Sequence, residues 1–264
     1  MNSQITGAIV RKLTQKALNE LEIILPEKDK QVYICNTFDK IQEINYFKRK
    51  QIEELEELIK SQFFEMFGSI KENKFNYKKV KFADICSNIG DGLHGTPKYD
   101  ENGKYPFING NNFIDNKITI TKATKFVNEE QFKQYYIPLT DNTIFLSING
   151  TLGKTAFYNN EQIILGKSAC YFNLKENINK NYIYGLMNTD EFLEFLENSS
   201  TKSTIKNVGL KALREYFVIL PPIELQNQFA QTVKLIDKQK FEIQKSLQEV
   251  QNLQESLMNK YFGG

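Results

Sequence analysis

The chain has 264 residues and a net charge of +2, from 34 Lys and Arg against 32 Asp and Glu. That near-balance excludes a strongly basic footprint, and no run of about 18 apolar residues suggests a membrane span. The N-terminal MNSQITGAIVRKLTQK lacks the apolar core of a secretion signal, and the scattered Cys35, Cys86 and Cys170 suit a reducing cytoplasm better than a disulfide framework.

The first predicted element belongs to an internal repeat. KALNELEIILPEKDKQ, from Lys16, lies over KALREYFVILPPIELQ, from Lys211, at an offset of 195 that holds without a gap to SQFFEMFG and SLMNKYFG. About 16 of the 53 aligned positions are identical. Each copy reads as an apolar strand, a proline and a long helix, with Pro26 and Pro221–Pro222 stopping the strand.

Residues 26–68 and 222–264 are the two predicted helices. In the first, a seam spaced alternately four and three runs through Ile34, Phe38, Ile41, Asn45, Lys48, Ile52, Leu55, Ile59, Gln62 and Met66. The second repeats it, in the same phase, from Phe229 through Val233, Ile236, Lys240, Ile243, Leu247 and Val250 to Tyr261. A stripe every 3.5 residues is a coiled-coil seam, and about 38 residues at ~1.5 Å each make a helix nearly 60 Å long. Such polar helices are marginal alone, so an antiparallel pair is expected, with Ile41, Ile52, Leu55, Ile236, Leu247 and Val250 as pairing residues.

Between them, residues 69–221 show short β-branched and aromatic runs broken by Gly, Asn, Asp and Pro, plus helical pattern in NKNYIYGLMNTDEFLEFLENSS. The fold class expected is α+β: a mixed α/β domain with a twisted, mostly antiparallel sheet, flanked by the two helices. The turn NGTLGKT ends like a phosphate-binding P-loop. Its first glycine, however, would have to stand at Ile148, and strand pattern rather than a helix follows. His94 is the only histidine and stands in no nucleophile elbow; Cys86 and His94 have no zinc-spaced partners; no Gly-x-Gly-x-x-Gly follows a strand. The run EELEE from Glu53 reads as a solvated helix face. No catalytic residue, metal site or bound cofactor is expected.

DGLHGTPKY (Asp91–Tyr99), YPFINGNNF (Tyr105–Phe113), SINGTLGKTAFY and LPPIELQNQFAQTV leading into SLMNKYFGG resemble the DNA specificity subunit of type I restriction–modification systems, over nearly the whole chain. The resemblance implies a non-catalytic, cytoplasmic scaffold whose recognition domains each read half of a split target on double-stranded DNA. Modification subunits would supply adenine methylation with S-adenosylmethionine, and restriction (motor–nuclease) subunits would join for cleavage. It implies further that residues 1–25 are the C-terminal stub of another recognition domain, because TGAIVRKLTQKALNELEIILP parallels TKSTIKNVGLKALREYFVILP. Bipartite reading would then need a second copy or another specificity chain.

Candidate DNA contacts follow from side-chain chemistry. Asn109, Asn111, Asn112, Asn149 and His94 stand in glycine-bearing loops and can donate and accept at base edges; Thr96, Tyr99 and Thr151 stand beside them. Lys98, Lys154, Lys167, Lys202 and Lys206 are candidate phosphate contacts, which position without specifying. Residues 69–210 carry 17 Lys and Arg against 15 Asp and Glu, so intrinsic DNA affinity is expected to be weak.

Overall fold

The computed structural model describes residues 5–6, 12–20 and 25–262. Much of the 1–25 segment, including most of the apolar stretch read as a strand before Pro26, lies outside the described residues. The chain divides into two compact units, residues 1–52 with 241–264 and residues 53–240.

The two long helices are α2 (Lys28–Phe67) and α7 (Ile223–Phe262), after a short α1 (Gln15–Asn19). Both have 40 residues, and both ends are offset by 195, so the sequence repeat is a structural repeat. It extends upstream. Strand β1 (Ile5–Thr6) pairs with β2 (Lys12–Leu13) through Ile5↔Leu13, and 195 residues later Ser200 bridges Val208. Helix α2 ends where Gly68 takes a φ of 71°, the left-handed cap that glycine adopts without penalty.

The seam behaves as the heptad pattern requires. Each seam position is buried or half-buried, Ile41 and Ile236 being only 4% and 3% exposed, while Ile52, Leu55, Leu247 and Val250 are half-buried. In the unit of residues 1–52 and 241–264, the Phe38 and Phe262 rings lie 6.2 Å apart. In the other unit, Phe63 meets Phe229 and Lys240 meets Glu56. Within residues 53–240, Glu56 meets Lys240 and Phe63 meets Phe229, so position numbers rise along α2 as they fall along α7 and the two helix segments there are antiparallel. Lys240, at a seam position, is buried, and its Nζ donates to Glu56 Oε1 at 2.6 Å.

The unit of residues 53–240 contains a four-stranded antiparallel sheet in the order β10 (Thr155–Phe157), β9 (Thr143–Ser147), β12 (Ala169–Leu174), β4 (Cys86–Asp91). The central strands TIFLS and ACYFNL are buried throughout, which is why they read as apolar runs without alternation. Their side chains nevertheless alternate between two cores. Ile144, Leu146, Cys170 and Phe172 join the larger cluster; Phe145, Ala169 and Tyr171 join the smaller on the opposite face.

A second sheet runs β11 (Ile164–Leu165), β5 (Tyr105–Ile108), β8 (Lys125–Val127), with β11 and β5 parallel. Strand β3 (Lys78–Lys81) pairs antiparallel with β13 (Phe217–Leu220), which ties the two ends of the recognition segment together beside α2 and α7. Helices α4 (Lys180–Met187) and α5 (Asp190–Ser199) occupy the stretch read as helical. The α2–α7 pair is fastened to α4 by stacked and edge-on aromatic rings. Tyr182 lies 5.5 Å from Phe63 and 5.0 Å from Phe67, and its hydroxyl donates to Ile219 O at 2.6 Å.

Candidate nucleic-acid interface

Strand register decides which loops meet. Ala169 pairs with Ser147, Cys170 with Asp91, and Thr155 with Leu146, so β4 and β9 end, and β10 and β12 begin, at one edge of the sheet. The segments beyond Asp91, beyond Ser147 and before Ala169 therefore emerge side by side. The parallel pairing of Leu165 with Ile108 brings in the segment after β5.

Backbone hydrogen bonds lace these segments together. Leu93 N donates to Leu165 O at 2.7 Å, and Lys167 N donates to Leu93 O at 3.1 Å. Ser168 is the junction. Its carbonyl accepts from Ile148 N at 2.9 Å, its hydroxyl accepts from Gly110 N at 3.0 Å, and that hydroxyl donates to Asn109 Oδ1 at 2.9 Å. The segment after α5 joins through the Asn149–Asn207 bridge and through Gly150 N, which donates to Lys206 O at 2.9 Å. Five separate stretches, 92–99, 109–112, 148–151, 166–168 and 200–207, thus form one rim.

The sequence candidates distribute over this rim unevenly. His94, Thr96, Lys98, Tyr99, Asn111, Thr151, Lys167 and Lys202 are exposed. Tyr99 packs its ring against Phe107, 5.9 Å away, and Lys98 is anchored where its N–H donates to Gln131 Oε1. Asn149 and Asn109 are half-buried, and Asn149 Nδ2 donates to Asn207 Oδ1 at 3.3 Å. Lys206 is exposed but ion-paired with Glu197.

Asn112 is corrected. It is 6% exposed; its Nδ2 donates to Thr119 O and Thr124 Oγ1, and its Oδ1 accepts from Asn109 N. Both ends of the amide are engaged within the loop, so in this structure Asn112 shapes the rim and does not present its side chain on it.

Lys154 stands apart from the rim. Its side chain is exposed, but it lines a cleft of about 520 Å³ with Glu56, Glu57 and Lys60 of α2, Lys240 of α7, and Asp115 and Asn116. The turn that carries it is glycine-dependent at its tip: Gly150 has a φ of 76°, and a Cβ there would meet nothing within 4 Å. Sequence reasoning missed Ser168 and Asn207, which carry the inter-loop hydrogen bonds. No local pattern marks them, since their side-chain partners lie 58 or 59 residues away. Burial pushes the Cys86 thiol up to about 12 and the Cys170 thiol well above its ordinary value, so both remain protonated and unreactive at neutral pH. Among the described residues no group of three His, Cys, Asp or Glu could hold a metal ion.

Residues 75–252 match the family described as the type I restriction modification DNA specificity domain. The chain belongs to that family. A Methanocaldococcus jannaschii protein named as the MjaX type I restriction enzyme specificity subunit is 27% identical over 206 residues, covering 74% of this chain and 47% of that protein. Among solved structures, the S subunit of a type I system from M. genitalium superposes with a TM-score of 0.59 at 20% identity, over 98% of this chain and 68% of that one. The HsdS subunit from Thermoanaerobacter tengcongensis gives 0.53 at 17% identity, over 99% and 65%. A type I assembly studied for complex formation and conformational transition gives 0.61 at 18%, over 97% and 65%. The specificity-domain chain thus spans about half the length of its curated relative and about two thirds of the structural ones. The matched span holds the whole loop rim and most of α7.

Proposed function

We propose that this chain reads DNA sequence for a type I restriction–modification assembly and scaffolds the subunits that act on the DNA. The observation that carries the reading is the rim. Five stretches spread between residues 92 and 207 converge on one sheet edge, held by hydrogen bonds between loops, and the exposed side chains there are amides, hydroxyls and ammoniums. Amides and hydroxyls meet base edges; ammoniums meet phosphates. The chain is read as non-catalytic, with S-adenosylmethionine bound by a modification subunit. The N-terminal segment, whose β1–β2 pairing repeats the Ser200–Val208 bridge, is read as the end of a recognition domain.

One recognition domain covers only a few base pairs. Two copies of this chain, related by a twofold axis and bound to modification subunits, would therefore recognise an interrupted palindrome. The α2–α7 seam would set the distance between half-sites. Mapping methylated sites in cells with and without this chain tests the reading directly. Lengthening both helices by one heptad, about 10 Å of rise, should change the spacer and leave the half-site bases unchanged. An asymmetric target, with this chain as the only specificity protein, would reject the symmetric arrangement. Micromolar S-adenosylmethionine binding by the purified chain would reject the non-catalytic assignment.

A further inference from the structure

We propose that His94, held by Asp91, is a proton-linked phosphate contact: DNA binding draws a proton onto its imidazole. This rests on the recognition reading above and assigns one of its residues a role the family match does not.

The geometry comes first. His94 Nε2 lies 2.5 Å from Asp91 Oδ2, with the imidazole 70% exposed and the carboxylate 23% exposed. An ionised carboxylate only accepts, so the nitrogen facing Asp91 carries a hydrogen, and Nδ1 is the nitrogen left for a ligand. The base of the side chain is immobile. Asp91 pairs with Cys170, Gly92 N donates to Ala169 O, and Leu93 bonds to both Leu165 and Lys167. A Cβ at Gly92 would lie 2.2 Å from Leu165 O, so only glycine lets the strands approach this closely.

The groups that surround Nδ1 select the ligand. Among the described residues, the N–H groups of His94, Gly95 and Thr96 make no hydrogen bond. The Gly95 face is open, a Cβ there meeting nothing nearer than Leu93 Cδ1 at 4.0 Å. Thr96 adds a hydroxyl and Lys98 an ammonium, both exposed. The stretch therefore offers three backbone N–H groups, a hydroxyl and an ammonium round an open backbone, a set from which a phosphate oxygen can accept. A base edge presents donors and acceptors mixed, whereas a phosphate oxygen only accepts.

An imidazole placed between a phosphate at Nδ1 and the Asp91 carboxylate at Nε2 is flanked by two anions, which favours its charged form. The other charged groups on this stretch and beside it are Lys98 and, on the β11–β12 turn, Lys167. An arriving phosphate is drawn to these ammoniums as well as to the imidazole. Binding thus takes up a proton, and affinity falls as pH rises.

The test uses the full chain reconstituted with its modification subunit. Binding to a duplex of the mapped target and to a duplex of unrelated sequence is measured from pH 6 to 8.5 and at several salt concentrations. Wild type should lose affinity with pH on both duplexes, by at most about tenfold per unit for one proton. His94→Gln should flatten that dependence on both duplexes and lower the salt slope by about 0.9, leaving base preference alone. Asp91→Asn should move the pH dependence to lower pH. Replacing phosphates one at a time by uncharged methylphosphonates should find one position that abolishes the pH dependence in wild type and has no effect on pH dependence in His94→Gln. Equal pH dependence and salt slope in wild type and His94→Gln would overturn the proposal, as would a changed base preference with an unchanged salt slope. If target and unrelated duplexes bind alike at every pH, the recognition reading itself fails; if they are discriminated without proton linkage, only this inference does.

Discussion

Gly185, in α4, lies where the long helices meet the recognition segment, and Gly185→Ala is a sharp test of that packing. A helical Gly→Ala change alone should stabilise by about 1 kcal/mol, because alanine loses less backbone freedom on folding. Here the new Cβ would stand 2.5 Å from Phe229 Cε1, 2.6 Å from Phe229 Cζ and 2.7 Å from Phe63 Cδ2. Carbon atoms pack at about 3.5–4.0 Å, so each ring must retreat by about 1 Å. They have little room to do so. Phe63 and Phe229 are 1% and 0% exposed, each touches Tyr182 or Phe67, and Tyr182 is pinned to Ile219 O. Overpacking of this kind costs about 3 kcal/mol, which exceeds the propensity gain and leaves a net loss of about 2 kcal/mol. For a body of this size that is a fall in Tm of roughly 4–8 °C. Gly209→Ala is the control, since a Cβ there meets nothing within 4 Å and its φ is −75°. Gly209 caps the helix that begins at Leu210, where alanine is the poorer cap, so this change should cost no more than about 1 kcal/mol, still well short of the loss at Gly185. Urea titration of both variants, with the m-value checked, decides the matter. A Tm for Gly185→Ala at or above that of wild type would refute the packing argument.

Three further outcomes follow from the packing and charge of individual side chains. Glu56→Gln removes the carboxylate from the buried Lys240 ammonium and should cost about 2 kcal/mol, whereas Lys240→Met removes the charge itself and should cost little or stabilise; a larger loss in Lys240→Met by chemical denaturation would contradict this. Burial raises the pKa of Asp237, so its ionisation opposes folding, and the associated stability is lost as pH rises. Asp237→Asn should therefore be more stable than wild type at neutral pH, with the gain vanishing in acid where the wild-type side chain is already protonated. On DNA, Asn149→Ala should alter discrimination at one base pair by about 1–3 kcal/mol, while Lys154→Ala, in its mixed-charge cleft off the rim, should leave the salt slope unchanged; a uniform loss of affinity from Lys154→Ala would return that lysine to the interface.

Periodicity alone determined the helical frame. A repeat offset of 195 and a 3.5-residue seam define two helices of about 38 residues, 40 in the structure, because burial of one stripe on a regular helix depends only on local spacing. Composition likewise marked 69–221 as a mixed sheet domain, and glycine and asparagine marked its exposed turns. The interface is another matter. Asn111 and Asn112 are adjacent and chemically identical, yet one is exposed and the other buried with its amide fully bonded. Lys154 shares a turn with Asn149 but faces the helices. Ser168 and Asn207 bind segments about 58 residues away. Which face a loop side chain takes depends on strand register and on the crossing of chains distant in sequence, and neither leaves a periodic trace. The residue types available for recognition were thus readable along the chain, but their assembly into one rim came only from the pairing of Asp91 with Cys170, Ser147 with Ala169 and Ile108 with Leu165, contacts whose partners lie 22 to 79 residues apart.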